Sequence, residues 1–133
     1  MEEVHAAHTV SVKIAMYSSD FEKVLIMQYP EVYGLPGGHL EENELPDEAL
    51  IRELDEELGA TLTDFNQTSF FLRSGRGSSV ILGYTAIVPA DFELNPPNPE
   101  KEKGIWVTKQ DFENIENISS EYKKLVFENW PTK

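Results

Sequence analysis

Glu53, Glu56 and Glu57 stand at i, i+3 and i+4 in the segment ALIRELDEELGA. Residues at this spacing share a helix face, where like charges cost about 0.2–0.5 kcal/mol per pair. A divalent cation removes that repulsion. Oxygen donors without cysteine or histidine favour hard cations, here Mg²⁺ with Mn²⁺ as a substitute. Mg²⁺ keeps waters and binds substrate phosphates, so the chemistry indicated is metal-assisted attack on a phosphoanhydride. A glutamate-rich helix face is by itself an ordinary solvated surface, so the elements around it must decide.

Leu50, Ile51, Leu54 and Leu58 recur at helical spacing and predict an apolar stripe beside the carboxylates. Ala49 falls between the carboxylates on the wheel and leaves room for a ligand. Pro46 suits the first helical position, and Gly59 sits where a C-cap glycine is expected. The helix is therefore predicted over 46–58. Leu45 precedes it where a Ser or Thr cap is usual. Before it runs Leu35-Pro36-Gly37-Gly38, whose two glycines allow close backbone approach. A carbonyl of Gly37 or Gly38 is thus a candidate metal ligand.

These residues belong to one longer pattern. Gly38, five residues, Glu44, seven residues, Arg52-Glu53-Leu54, one residue, Glu56-Glu57, one residue and Gly59 are followed by the small apolar Ala60. With this pattern over 38–60 the chain resembles the Nudix hydrolases, most closely their MutT-like members. The resemblance implies that Glu53, Glu56 and Glu57 bind metal together with Gly38, and that Glu53 is general base in some members. It implies that Arg52 and Glu44 orient the loop and helix, and a guanidinium can hold a carboxylate through two hydrogen bonds. Glu41 matches a loop glutamate that several members add. Many members take another acid from a late loop; here Glu100 is preferred to Glu102.

A chain of 133 residues is read as one domain, 1–133. It has no cysteine, which excludes disulfides and thiolate chemistry. The formal charge of −13 argues against general affinity for nucleic acid or anionic membranes. A nucleotide partner stays compatible if it arrives as a metal complex. The first residues lack a basic start followed by an apolar run, and no stretch is long and apolar enough to span a membrane. A cytoplasmic protein is expected.

Strands are predicted over 9–17, 23–28, within 61–72, over 80–88 and over 104–107, with loops at 34–43, 74–79 and 92–103. Helices are predicted at 109–115 and 120–129, the second amphipathic through Tyr122, Leu125, Val126 and Trp130. Strands on both sides of a central helix, with helices at the end, give an α/β/α sandwich around a central mixed β-sheet. That is the architecture of the Nudix fold.

Other polar residues give weaker signals. His5 and His8 read as tail residues, and His39 as an exposed loop position able to touch a phosphate. Arg73 and Arg76 read as an exposed hairpin loop with phosphate or base contact as the alternative. Tyr33, Leu35 and Phe71 are candidates for a base pocket. The resemblance to compact MutT-like members implies a nucleoside triphosphate, oxidised or not, cleaved to a monophosphate and pyrophosphate. Oxidised-guanine enzymes of the family use an asparagine before the last helix, and Asn114 and Asn117 lie there. ADP-ribose and nucleotide sugars stay open. So does a nucleotide sensor without turnover, which in the family goes with a broken box or a fused DNA-binding domain. Whether Trp130 and Phe127 seal a dimer or close the chain's own core is not decided by sequence.

Overall fold

The computed structural model describes residues 7–73 and 79–132. His5 and Arg76 lie outside the described residues. The chain runs β1 (Thr9–Ser18), β2 (Lys23–Gln28), β3 (Tyr33–Gly34), β4 (Gly37–His39), α1 (Pro46–Leu58), β5 (Asn66–Arg73), β6 (Ser79–Val88), β7 (Lys103–Thr108), α2 (Lys109–Asn114) and α3 (Ser120–Glu128).

Seven strands form one mixed sheet, with the path β3-β2-β1-β6-β5; β4 also pairs with β1, and β7 with β2. β1 and β6 run parallel from Thr9↔Ser79 to Ser18↔Val88, while the other pairs are antiparallel. β1 is buried on both faces. Val12, Ile14 and Met16 point into a core with Leu50, Leu54 and Leu58 of α1. Ala15 and Tyr17 point into a second core with Phe112 of α2 and Tyr122, Leu125 and Val126 of α3. The alternation follows from successive side chains of a strand taking opposite faces. Helices cover both faces, and the expected α/β/α sandwich is found.

Two local expectations change. The segment 34–43 is not all loop: β3 and β4 return against β2 and β1, which ties the glycine loop to the sheet centre. Ala49 is fully buried against the sheet rather than left open for a ligand, and Ile51 is exposed. The apolar stripe is centred on Leu50 and Leu54, so Ala49 rides its edge and Ile51 falls beyond it. The 61–72 segment holds one strand, β5, at the sheet edge with Phe70 and Leu72 exposed.

α1 begins without a side-chain acceptor at its N-cap, Leu45. Glu48 compensates by accepting the Leu45 N–H at 2.9 Å, the reciprocal half of a capping box. It ends on Gly59 in the left-handed region. At the far end, Trp130 packs edge-on against Tyr17 at 5.2 Å and donates from Nε1 to Phe21 O at 2.7 Å. Phe127 packs on Phe112 at 5.3 Å. Both aromatic rings thus close the chain's own second core.

Candidate active site

The site is built where β4 hands the chain to α1. Gly37 has φ +134, and a Cβ there would collide with the Val12 carbonyl. Only glycine lets this strand lie so close to β1. At Gly38 a Cβ would come within 2.5 Å of the Glu53 carboxylate. The bare backbone of Gly38 is therefore what leaves room for the Glu53 carboxylate beside the loop.

Arg52 organises the surrounding charge. Its Nε and Nη2 donate to both oxygens of Glu44 at 2.7 and 2.9 Å. Nη2 also donates to His39 O at 2.9 Å. Nη1 reaches Glu53 and Glu56, each at 3.1 Å, and lies 3.6 Å from Glu41. The Glu44 pair is the two-point clamp that fixes loop against helix. It holds Glu44 down to about 2, the Arg52 hydrogen bond being the largest cause and the Glu41 N–H the next. The same contacts raise the pKa of Arg52, with the Glu44 hydrogen bond first, so the guanidinium is permanently charged.

Glu57 differs from its neighbours. It is only 7% exposed, because its place on the wheel lies next to Leu50 and Leu54. Oε1 accepts from Gly37 N–H at 2.9 Å and Oε2 from Tyr29 OH at 3.1 Å. Burial pushes its pKa up to about 7, against the lowering effects of the Gly37 hydrogen bond and the Lys13 charge. Tyr29 is raised, first by burial and then by the Glu57 charge. Lys13 of β1 donates to Leu35 O and Gly37 O, each at 3.2 Å. Burial lowers its pKa, while Glu57 and Glu53 oppose that.

Gly38, Arg52, Glu53, Glu56 and Glu57 line one open cavity of about 550 Å³, with Glu41, His39, Tyr29 and Glu102 on its walls. Glu44 stands behind Arg52. The two late-loop acids are placed differently. Glu100 borders a neighbouring concavity with Pro30 and Lys103, whereas Glu102 faces the carboxylate cavity. Glu102 directly precedes β7, which is pinned to β2 at Gln28↔Lys103. Glu100 is two residues farther out in the preceding turn.

The donor set fits a hard divalent cation: carboxylate oxygens from Glu53, Glu56 and Glu57, with Gly38 on the same cavity wall. Among the described residues no three such side chains are arranged to hold an ion as they stand. Arg52 spans Glu53 and Glu56, and Glu57 turns both oxygens to protein donors.

Other expected residues separate clearly. Asn117, Tyr33 and Arg73 line a second cavity beyond Tyr29. Asn114 ends α2 on the surface, and His8 is exposed. Leu35 is fully buried in the second core, so it is not a pocket wall, and Phe71 packs on Tyr122 at 6.4 Å. His39 Nδ1 is bonded to the buried Ser11 hydroxyl at 2.8 Å. Sequence reasoning missed Lys13 and Tyr29. The available signal was a lysine flanked by the apolar Val12 and Ile14 at the centre of a strand. No helix among the described residues is long and apolar enough to cross a membrane.

The NUDIX domain model matches residues 7–128. An 8-oxo-dGTP diphosphatase of Proteus vulgaris is 61% identical over 28 residues, 21% of this chain and 25% of that protein. The match thus spans about a quarter of that relative's length. The NUDIX domain of Shewanella oneidensis NrtR, in complex with ADP ribose, superposes with a TM-score of 0.78 at 21% identity, covering 92% of this chain and 86% of that one. A MutT NUDIX hydrolase of Burkholderia pseudomallei superposes with a TM-score of 0.77 at 20% identity, covering 93% and 99%. At these identities the two structures speak to the fold.

Proposed function

The chain belongs to the Nudix family, and from that premise we propose that it is a divalent-metal-dependent pyrophosphohydrolase. Its proposed substrate is a nucleoside triphosphate, plain or oxidised, cleaved to the monophosphate and pyrophosphate. The observation that carries this reading is the cavity in which Glu53, Glu56 and Glu57 converge on the Gly38 backbone around Arg52. The short stretch of identity to an 8-oxo-dGTP diphosphatase supports the triphosphate class.

Gly38, Glu53, Glu56 and Glu57 would hold the metal, Mg²⁺ or Mn²⁺, with Glu102 as the added late-loop acid. When bound, such an ion neutralises charge on the phosphates and acidifies a coordinated water. The chain's own part is positional and acid–base. Arg52 and Glu44 keep loop and helix in register. Glu53 takes the proton of the attacking water as its oxygen bonds to phosphorus, and the bridging P–O bond breaks with its electron pair leaving on pyrophosphate. Positioning and electrostatics supply most of the acceleration in phosphoryl transfer.

The test is a pyrophosphate- and phosphate-release screen with Mg²⁺ and then Mn²⁺ over canonical and oxidised triphosphates, ADP-ribose, nucleotide sugars and dinucleoside polyphosphates. A triphosphate cleaved well above the rest, with turnover lost in Glu56→Gln, is the expected result. Glu56 is exposed, so the variant keeps the fold. Strong cleavage of ADP-ribose instead would move the substrate class. Binding without turnover across the panel would move the protein to a nucleotide sensor.

A further inference from the structure

The loop that leads into the carboxylate cavity gives the carbonyls of Leu35, Pro36 and Gly37 to β1. Ile14 N–H donates to Pro36 O at 3.1 Å. Lys13 Nζ donates to Leu35 O and Gly37 O, each at 3.2 Å. Two consecutive residues of β1 thus take all three carbonyls.

The same loop is held a second time, from the other face of the sheet. Gly37 N–H donates to Glu57 Oε1 at 2.9 Å, and Glu57 belongs to α1. Side chains of β1 alternate between the faces. Val12 and Ile14 enter the core shared with α1, Ala15 and Tyr17 the core shared with α3. Lys13 falls with the second group, and its Nζ lies 5.7 Å from the ring centroid of Tyr122 on α3. Gly37 is therefore gripped between a cation, through its carbonyl, and a carboxylate, through its N–H.

This residue needs such a grip. Its φ of +134 is open to glycine alone, and glycine has the most backbone freedom to lose on ordering. Leu35 and Gly37 are both buried, so carbonyls deprived of the ammonium would be left short of a partner, which is costly. A charged donor holds them about twice as strongly as a neutral one. Gly38, the next residue, lines the cavity with Glu53, Glu56 and Glu57, so a shift of the loop passes directly to the carboxylates. We propose that Lys13 is a positioning residue of the site: its ammonium fixes the Leu35 and Gly37 carbonyls and so sets the Gly37–Gly38 backbone against Glu57 and Glu53. It acts through the loop. Its effect on turnover rests on the hydrolase reading, and its effect on the loop does not.

The experiment compares the wild type with Lys13→Met, which keeps the apolar stem, and Lys13→Arg, which keeps a charged donor. Amide hydrogen exchange, followed by NMR, is read at Gly37 with the β5–β6 ladder as internal reference. kcat and KM are read with the best substrate of the release screen. In Lys13→Met the Gly37 amide is expected to exchange roughly tenfold to hundredfold faster, the scale of hydrogen bonds from a charged group, with the reference amides unchanged. kcat is expected to fall at least about tenfold with KM little changed, and Lys13→Arg to recover both exchange and kcat in large part. Either a Gly37 amide or a kcat that stays at its wild-type value in Lys13→Met overturns the inference. So does faster exchange spread equally over the β5–β6 ladder, or a failure to fold, since either makes Lys13 a general stabiliser. Faster exchange confined to the loop, with no nucleotide hydrolysed by any of the three chains, would retain the clamp and reject the hydrolase. Wild-type turnover with an unmoved Gly37 amide in Lys13→Met would do the reverse.

Discussion

Replacing Glu57 by glutamine should stabilise the metal-free protein at alkaline pH while removing activity. The carboxylate is 7% exposed, and burial raises its pKa from 4.5 to about 7. At about 1.4 kcal/mol per tenfold change in proton affinity, holding it ionised in the fold costs about 3 kcal/mol. The folded-state pKa lies above the unfolded one. Between pH 4.5 and 7 the folded chain therefore binds more protons, and stability falls as pH rises through that window. Glutamine has no such slope, and its carbonyl can still accept from Gly37 N–H. Urea unfolding in chelator at pH 5 and pH 8 should show the variant gaining on the wild type by about 2–3 kcal/mol between the two, since charges common to both cancel. Millimolar Mg²⁺ at pH 8 should reverse the order, because a ligand of the native state stabilises the chain that binds it more tightly. A variant-minus-wild-type difference that is the same at both pH values would refute the reasoning.

Gly38→Ala should retain the fold but misplace Glu53, because the new methyl meets the mobile end of that side chain at 2.5 Å rather than backbone. Its melting temperature should stay near the wild type's while kcat/KM falls at least about tenfold, the scale of a displaced catalytic group. Arg52→Lys keeps the charge but loses the two-point clamp on Glu44. A carboxyl NMR titration should then find Glu44 well above its value of about 2, with turnover reduced. Because Glu57 must lose its proton before it can ligate, Mg²⁺ affinity measured calorimetrically should rise between pH 6 and 8 in the wild type and stay flat there in Glu57→Gln.

Much of the site was legible along the chain because it is local. Glu53, Glu56, Glu57 and Arg52 lie within two turns of one helix, and helical periodicity alone brings them together. Pro46 and Gly59 mark that helix's ends by backbone chemistry that needs no tertiary partner. The alternation along β1 and β2 was legible as well, which is why the sheet and its two cores follow from pattern. What the linear order hides are relations between residues far apart. The parallel pairing of β1 with β6, over nearly seventy intervening residues, is decided by how the two cores pack. So is the placement of Glu102 rather than Glu100 on the wall of the carboxylate cavity, which turns on where β7 is pinned against β2. Helical spacing placed Glu57 among solvent-facing carboxylates. Only the sheet beneath α1 makes it a buried acid, since burial and the proton affinity it sets depend on what covers a side chain. Lys13 is the same case in reverse: an ordinary polar position on a strand becomes a half-buried cation beside Tyr29 and Tyr122, residues far from it in the chain.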